Sequence, residues 1–372
     1  MRRPQPPLWL AQPSRFAALP ATQARVALVL LAMLLLSTLL ALGTPGPPPV
    51  SGDPANRAQD QSDVVLYETI VEGVRHGGSY YPVTADALRA GDYPLRPFVT
   101  FRLPTLAMVQ ATLPAIVTTM LLYSLAAATA LAWLARLRPA FSRGPPLVIA
   151  MALLAGGMMA FVQPDLVAFH EIWAGLLVAL SLAVRQPGRW LPAVAFGLAA
   201  VLIRETAGLY LALMAAIAWI EGDRREAIGW AAAIGVLALA VGLHAHAVAQ
   251  VVRPLDPASP GWSGLLGFGF FVRTMTISTA LSLAPQWLAA PLVGLALFGW
   301  AAWRDPLGVR VLAVTGGYAV VLALFGRTDT FYWGLLVAPA MLVGLAFALD
   351  GVRDLIVGAL DRRRITVTRM VR

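Results

Sequence analysis

The chain has 372 residues, of which 59% are hydrophobic and only 13% are charged, and its mean hydropathy is +0.72. A soluble domain would carry about 25% charged residues, so the composition excludes an ordinary soluble protein. The formal net charge is +9, and all 28 basic residues are arginine. No basic stripe alternates with stacking aromatics, which argues against nucleic acid as a partner. The absence of cysteine excludes disulfides and cysteine nucleophiles.

Apolar segments that could cross a bilayer recur along the whole chain, and they predict an all-α fold with about ten transmembrane helices. They lie near 25–43, 112–134, 146–162, 170–184, 190–203, 206–220, 227–247, 286–303, 309–325 and 333–350. We interpret 25–350 as a single transmembrane domain. A basic, proline-rich tail at 1–24, which we expect to be flexible, precedes this domain, and a basic tail at 351–372 follows it.

The arginine distribution predicts the orientation of these spans. With a cytoplasmic N-terminus, nineteen of the 28 arginines fall inside and nine fall outside. This excess is strongest in the short connections, where the positive-inside rule applies best. We therefore expect both termini to be cytoplasmic and the basic side to contact membrane lipids. The arginine-only basic set, with abundant Ala, Gly and Pro, is typical of a GC-rich bacterial genome and favours a bacterial inner membrane. The first span is longer than a signal-peptide core, so we expect a retained anchor.

A long polar insertion, 44–103, separates the first two spans. It holds seven of the 19 acidic residues, and a loop of this length is usually functional or disordered. Apolar residues at helical spacing predict a helix over 63–75, with Asp63 in the first turn and Gly77 at the end. We expect this helix to lie flat on the membrane with its apolar face down. A second short helix is predicted over 84–90.

Further polar elements reach the same outer face when the N-terminus is inside. They are the turn 163–171 with His170 and Glu171, the pair Arg204 and Glu205, the stretch 248–285 with Arg273, and the turn 326–332 with Arg327. Charges within apolar membrane segments are costly and are usually paired or functional. Arg204 is therefore either half of an ion pair with Glu205 at a turn, or a ligand for an anionic phosphate.

Aromatic residues near the ends of the later spans are expected to form an interfacial belt. They are Trp262, Trp287, Tyr332 and Trp333. His244 and His246 are two residues apart and so face apart on a helix, which argues against a shared metal site.

The start of the chain resembles a family, the polyprenyl-phosphate-sugar glycosyltransferases of the GT-C fold. In that family the loop after the first span reads as an acidic pair, a spaced Tyr, a short amphipathic helix, then Gly and an aromatic residue. The matching places here are Asp63, Tyr67, the helix to Arg75, Gly77 or Gly78, and Tyr80 with Tyr81. Arg102, which opens the second span, also suits the family pattern. The second acidic place is Val64 here, so either Asp63 works alone or Asp60 substitutes. The resemblance covers the first 135 residues best.

The resemblance implies transfer of a sugar from a polyprenyl-phosphate donor to a glycan or lipid acceptor at the extracytoplasmic face. A carboxylate must take the acceptor proton, and Asp63, then Asp60, is the candidate base. Cationic groups must stabilise the leaving phosphate. The candidate substrate-binding residues are Tyr67, Tyr80, Tyr81, Arg102, His170, Glu171, Arg204, Glu205, Arg273 and Arg327. Whether a divalent cation, Mg²⁺ or Mn²⁺, takes part is left open, with no metal ligands named.

Two other classes of function stay open, a lipid or glycan transporter or flippase and a noncatalytic membrane subunit of an envelope-glycan assembly system. A transporter should show inverted repeats and polar residues at mid-membrane, whereas the polar groups here cluster at one face. A noncatalytic subunit would tolerate substitution of the outer acidic residues. The chain has neither a Gly-rich nucleotide loop nor a lysine, which argues against an ATP-driven pump.

Overall fold

The computed structural model describes residues 6–46 and 62–361, and these residues are helical, with strand pairing limited to three isolated bridges. They form fifteen α-helices. The first eight are α1 (Ala21–Thr38), α2 (Ser62–Arg75), α3 (Tyr80–Ala90), α4 (Thr105–Thr112), α5 (Ala115–Leu137), α6 (Gly144–Gly157), α7 (His170–Val184) and α8 (Leu191–Ile203). The others are α9 (Gly208–Ile220), α10 (Arg224–Ala249), α11 (Gly267–Ile277), α12 (Gln286–Ala302), α13 (Pro306–Phe325), α14 (Ala338–Met341) and α15 (Leu345–Ala359).

Several of these helices are suited to a membrane. Four helical segments in the described ranges are long and apolar enough to cross one, and they are Ala21–Leu42, Ala115–Ala140, Arg224–Ala249 and Pro306–Phe325. A fifth candidate is the pair Thr328–Leu336 and Ala338–Ala359, which is bent by 64°. The apolar helices α6, α7, α8, α9 and α12 have at most 17 residues and are shorter than a hydrocarbon core of about 30 Å. The protein is therefore a helical, membrane-embedded protein, and the count of ten spans is not confirmed.

Ion pairs of two buried arginines join one end of the helix bundle. Arg185, after α7, donates to Glu226 of α10 from Nε at 3.0 Å and from Nη2 at 2.6 Å. Arg310 of α13 donates to Glu221, after α9, through both guanidinium Nη atoms. These arginines belong to the set expected inside. The helices α7, α9 and α13 run from this end to an opposite end, where a cavity lies.

The N-terminal segment packs on the same arginine-rich end. The backbone N–H groups of residues 8–10 donate to the buried carboxylate of Asp350 at 2.6–3.0 Å. Ser14 donates from Oγ to Asp354 at 2.8 Å. Residues 8–19 therefore differ from the flexible tail expected from their composition, because two carboxylates of α15 satisfy polar groups of the segment.

The polar insertion folds onto the rest of the protein. Its helix α2 buries Leu66, Tyr67, Ile70 and Val71, and the Tyr67 ring meets Phe169 edge-on with centroids 5.9 Å apart. The expectation that this face lies on lipid is thus wrong, because other parts of the protein cover it. Such burial contributes about 1.5–3 kcal/mol for each large apolar side chain.

A tight turn connects α2 with the second helix of the insertion. Gly77 has a φ of 91°, a conformation that favours glycine, and the Gly78 N–H donates to the Gly73 carbonyl at 3.1 Å. The helix α3 begins at Tyr80, four residues before the predicted start.

The stretch 248–285 is only partly a loop. Its helix α11 buries four large apolar side chains, those of Phe270, Phe271, Val272 and Met275, and therefore belongs to the core. The irregular part before it is tied to α3, because Arg89 donates to the Asp256 carboxylate from Nε at 2.9 Å and from Nη2 at 2.8 Å.

Candidate functional site

A cavity of about 780 Å³ lies where α2, α3, the break between α8 and α9, and the end of α13 meet. Eight of the twelve residues predicted for the site line it, and they are Asp63, Tyr67, Tyr80, Arg102, His170, Arg204, Glu205 and Arg327. The fold thus brings together residues separated by more than 250 positions. A cavity of this size can hold a ligand such as a sugar phosphate.

Among the described residues, the Arg102 guanidinium contacts neutral groups and no carboxylate. Its Nε donates to the Tyr67 hydroxyl at 2.9 Å, and its Nη2 donates to the Tyr332 hydroxyl at 3.5 Å. The Tyr80 hydroxyl donates to the Arg102 carbonyl at 2.8 Å and fixes the backbone. Burial raises the pKa of Tyr67, so this phenol stays neutral at physiological pH. Arg102 is therefore available to an anion.

Asp63 is the acidic residue of the cavity that comes from α2. It lies in the first turn, one helical turn before Tyr67, where the helix dipole favours an anion. Residues four apart are neighbours on one helix face, so the Asp63 carboxylate lies on the same side of α2 as Tyr67, and its charge adds to burial in raising the pKa of Tyr67. Asp63 is partly exposed and lines the cavity, which leaves it accessible to a ligand. Asp60, the second candidate base, lies outside the described residues.

Arg204 occupies the break between α8 and α9 in an extended conformation, with φ −138° and ψ 104°. Its Nε donates to Glu171 and its Nη1 donates to Glu205. Arg204 is only 2% exposed and Glu171 is fully buried. The ion pair with Glu205, one of the two readings of the sequence, is therefore present, and Glu171 is a second partner. Two carboxylates compensate the charge, which makes Arg204 less available to a further anion than Arg102.

His170 adds an imidazole to the cavity wall. The residue is 3% exposed, and neither ring nitrogen has a hydrogen-bond partner in the described part of the chain. Its ring packs edge-on against Tyr67 with centroids 4.8 Å apart. Glu205 Oε2 and Thr206 Oγ1 are likewise buried without a partner there. Buried polar groups are normally hydrogen-bonded, so this part of the wall is suited to a polar ligand.

Three predicted residues do not line the cavity. The Tyr81 hydroxyl lies 3.2 Å from Nδ1 of His244, which connects α3 with α10. Glu171 lies behind Arg204. Arg273 of α11 lies beside Gly46, near the end of the first span. Their contacts suggest positioning or packing rather than direct binding.

Several cavity residues were missed by sequence reasoning. Tyr332, Trp262 and Trp333 were expected in an interfacial belt, but all three line the cavity. Asp329 also lines it and accepts from Nη2 of Arg327 at 2.6 Å. The sequence shows the Arg-Thr-Asp turn, but a turn exposed to solvent would have the same kind of sequence.

One side of the cavity is apolar. Leu209 of α9 and Val321 and Phe325 of α13 form it, and Phe325 is 49% exposed. The two helices approach closely at Gly317, where an added Cβ would lie 2.7 Å from the Leu213 side chain. The cavity thus extends from its charged groups to the apolar outer surface of two helices.

The described residues fit a resident metal poorly. They contain no group of three or more His, Cys, Asp or Glu side chains that could hold an ion. Asp63 could supply one carboxylate, and Mg²⁺ is often bound by one or two carboxylates together with substrate phosphates. The divalent cation therefore stays a prediction that would depend on the substrate.

No family model matches the sequence, and comparisons with curated proteins and with solved structures found no match either. The function has to be inferred from the residues of the cavity themselves.

Proposed function

We propose that this protein transfers a sugar from a polyprenyl-phosphate donor to a hydroxyl group of a cell-envelope glycan or lipid at the extracytoplasmic face of a bacterial inner membrane. One observation carries the proposal. A single cavity combines the carboxylate of Asp63, the guanidinium of Arg102 without a carboxylate partner, and an apolar side formed by α9 and α13. A proton acceptor, a phosphate ligand and a lipid-compatible surface are the three features that this reaction needs.

The charged part of the cavity is suited to the donor phosphate. A guanidinium can donate two parallel hydrogen bonds to phosphate, and Arg102 lies beside two phenols, those of Tyr67 and Tyr332. As the bond between the anomeric carbon and the phosphate oxygen breaks, charge develops on the leaving phosphate. Donors fixed around that oxygen stabilise the transition state more than the ground state.

Asp63 is suited to the acceptor. Its carboxylate accepts the proton of the attacking hydroxyl as the oxygen bonds to the anomeric carbon. The products are the glycosylated acceptor and polyprenyl phosphate, and the proton stays on Asp63 until solvent removes it. The partial exposure of Asp63 supports this role, since the acceptor and water must both reach it.

The apolar side is suited to the first isoprene units of the donor. Leu209, Val321 and Phe325 line the cavity with apolar side chains, and the exposed Phe325 extends this lining to the outside of the helices. Burial of hydrocarbon there contributes about 0.8 kcal/mol for each CH₂ group. A transporter remains the alternative, but the ion pairs of the buried Arg185 and Arg310 join the far ends of the helices and argue against a through-going path.

The test uses purified protein in lipid nanodiscs with a panel of polyprenyl-phosphate sugars and candidate acceptors. We expect at least one donor to release polyprenyl phosphate, with the sugar on the acceptor or on water. Movement of an intact donor between leaflets without release of the phosphate would instead indicate a flippase. Binding of donors with neither result would indicate a noncatalytic subunit.

A further inference from the structure

We propose that His170, Glu205 and Thr206 form a hydroxyl subsite that binds the sugar headgroup and selects an uncharged sugar over an acidic one. This inference rests on the proposed function and adds to it the chemical class of the transferred sugar. The observation behind it is the set of polar atoms on the cavity wall without a partner.

The hydroxyl subsite offers both donors and acceptors. Glu205 Oε2 and Thr206 Oγ1 are buried and lack partners among the described residues, as do Nδ1 and Nε2 of His170. A carboxylate oxygen accepts from hydroxyl groups, whereas a hydroxyl and an imidazole each donate and accept. Adjacent hydroxyl groups on a sugar ring present this mixture of donors and acceptors. An alkyl chain or a bare phosphate cannot satisfy all of these atoms.

Arg204 positions the hydroxyl subsite. It donates to Glu171, which follows His170 in the chain, and to Glu205, which precedes Thr206. The ion pairs therefore hold the start of α7 against the break between α8 and α9. One oxygen of Glu205 is used by Arg204, and the other remains for a ligand.

The charges around the hydroxyl subsite disfavour an acidic sugar. Two carboxylates, Glu171 and Glu205, face the guanidinium of Arg204, and the nearby Arg102 is taken up by the donor phosphate, so with the donor bound this group has a formal charge of −1 when His170 is neutral. A uronate would bring another negative charge into a buried region, where like charges repel strongly. A neutral hexose brings only hydroxyl groups.

The subsite lies beside the phosphate ligands. His170 packs on the ring of Tyr67 with centroids 4.8 Å apart, and the Tyr67 hydroxyl accepts from Arg102 at 2.9 Å. A phosphate at Arg102 therefore has His170 of the hydroxyl subsite near it, and Glu205 and Thr206 line the same cavity. A sugar linked directly to the phosphate would extend in this direction.

The test measures binding of three lipids to the protein in nanodiscs, namely a polyprenyl phosphate, the same lipid carrying a neutral hexose, and the same lipid carrying a hexuronic acid. We expect the hexose lipid to bind at least about tenfold more tightly than the other two lipids. This ratio is equivalent to about 1.4 kcal/mol of binding free energy. Glu205→Gln and the nearly isosteric Thr206→Val should remove that advantage without weakening the bare lipid. Glu68→Gln, an exposed change on α2, is the control.

Equal binding of the hexose and hexuronate lipids would overturn the inference, as would variants that weaken all three lipids equally. If wild-type protein binds no polyprenyl phosphate, the proposed function fails instead, and methyl hexosides then test the subsite alone. A neutral methyl hexoside that binds to wild type but not to Thr206→Val would support the subsite. No binding of any methyl hexoside would reject it.

Discussion

Arg102 and Arg204 reach the same cavity with different partners. Arg102 contacts two neutral phenols, whereas Arg204 lies between two carboxylates. An arginine that is already paired with two anions gains little from a third. We therefore expect Arg102 rather than Arg204 to bind the phosphate, and we expect Arg204 to position its neighbours.

At the residue scale the first prediction concerns Asp63. Asp63→Asn keeps the size and much of the helix-capping ability but removes the negative charge. We expect turnover to fall by about 10²–10⁴-fold, the range for general-base catalysis. Asp86→Asn, on an exposed side chain of α3, is the matched control. Wild-type turnover in Asp63→Asn would reject the role, and Asp60→Asn would then be examined.

The second prediction concerns Arg102. Arg102→Lys keeps the charge but loses the planar pair of donors. We expect the affinity for bare polyprenyl phosphate to fall about tenfold to a hundredfold, equivalent to about 1.5–3 kcal/mol for a hydrogen bond to a charged group. Arg253→Lys, at an exposed residue, should leave the affinity unchanged. Equal affinities in both variants would place the phosphate elsewhere.

The third prediction separates positioning from ligation at Arg204. Arg204→Gln leaves the buried carboxylate of Glu171 without a partner, and we expect it to lower stability by about 3–5 kcal/mol. Adding Glu171→Gln should recover much of that loss, because the fully buried carboxylate is then neutral and the remaining one, that of Glu205, is 20% exposed. Thermal unfolding in detergent would measure both. A single variant as stable as wild type would show that the ion pairs do not support the fold.

At the element scale, an ion pair between Arg89 and Asp256 connects α3 with the stretch before α11. The Arg89 guanidinium, together with the Arg253 backbone N–H, lowers the pKa of Asp256 from the ordinary 3.8 to about 2. Since the folded pKa is the lower one, the stabilisation is complete above about pH 4 and is lost as pH falls from there through about 2.

The fourth prediction follows from that linkage. Asp256→Asn should lower the melting temperature at neutral pH, and the difference from wild type should shrink between pH 4 and pH 2. Hydrogen exchange should also accelerate at residues 95 and 96, whose N–H groups donate to the Pro257 carbonyl. Arg253→Ala keeps the backbone donor and the Arg89 contact and loses only a minor charge contribution, so it should lower the melting temperature much less than Asp256→Asn. A difference that stays constant with pH would contradict the linkage.

At the scale of the whole molecule, the helices connect two unlike ends. One end holds the cavity, and the other holds ion pairs of arginines that the positive-inside rule predicts to be cytoplasmic. The fifth prediction is that 44–103 faces outward and the C-terminal tail inward. A phosphatase fused near Gly91 should be active, and one fused after Arg364 should be silent. A silent fusion near Gly91 and an active one after Arg364 would show that the cavity faces the cytoplasm.

The sequence by itself determined the class of fold and much of the candidate site. The apolar content predicted a helical membrane protein, because long apolar helices satisfy their own backbone hydrogen bonds in lipid. Helical spacing and glycine placed a helix close to the observed α2, and charge in an apolar run indicated the break at Arg204. These features depend on neighbours in the chain, so local patterns are sufficient to find them.

Only the tertiary structure decided which of these residues lie together. Tyr332 contacts Arg102 across 230 positions, and Glu171 neutralises Arg204 from another helix, so neither contact could be predicted from spacing. The N-terminal segment and the apolar face of α2 were misjudged for the same reason, since their partners are distant in sequence. Whether an arginine has a carboxylate partner depends on the side chains that pack beside it. For Arg102 and Arg204 those side chains come from distant parts of the sequence.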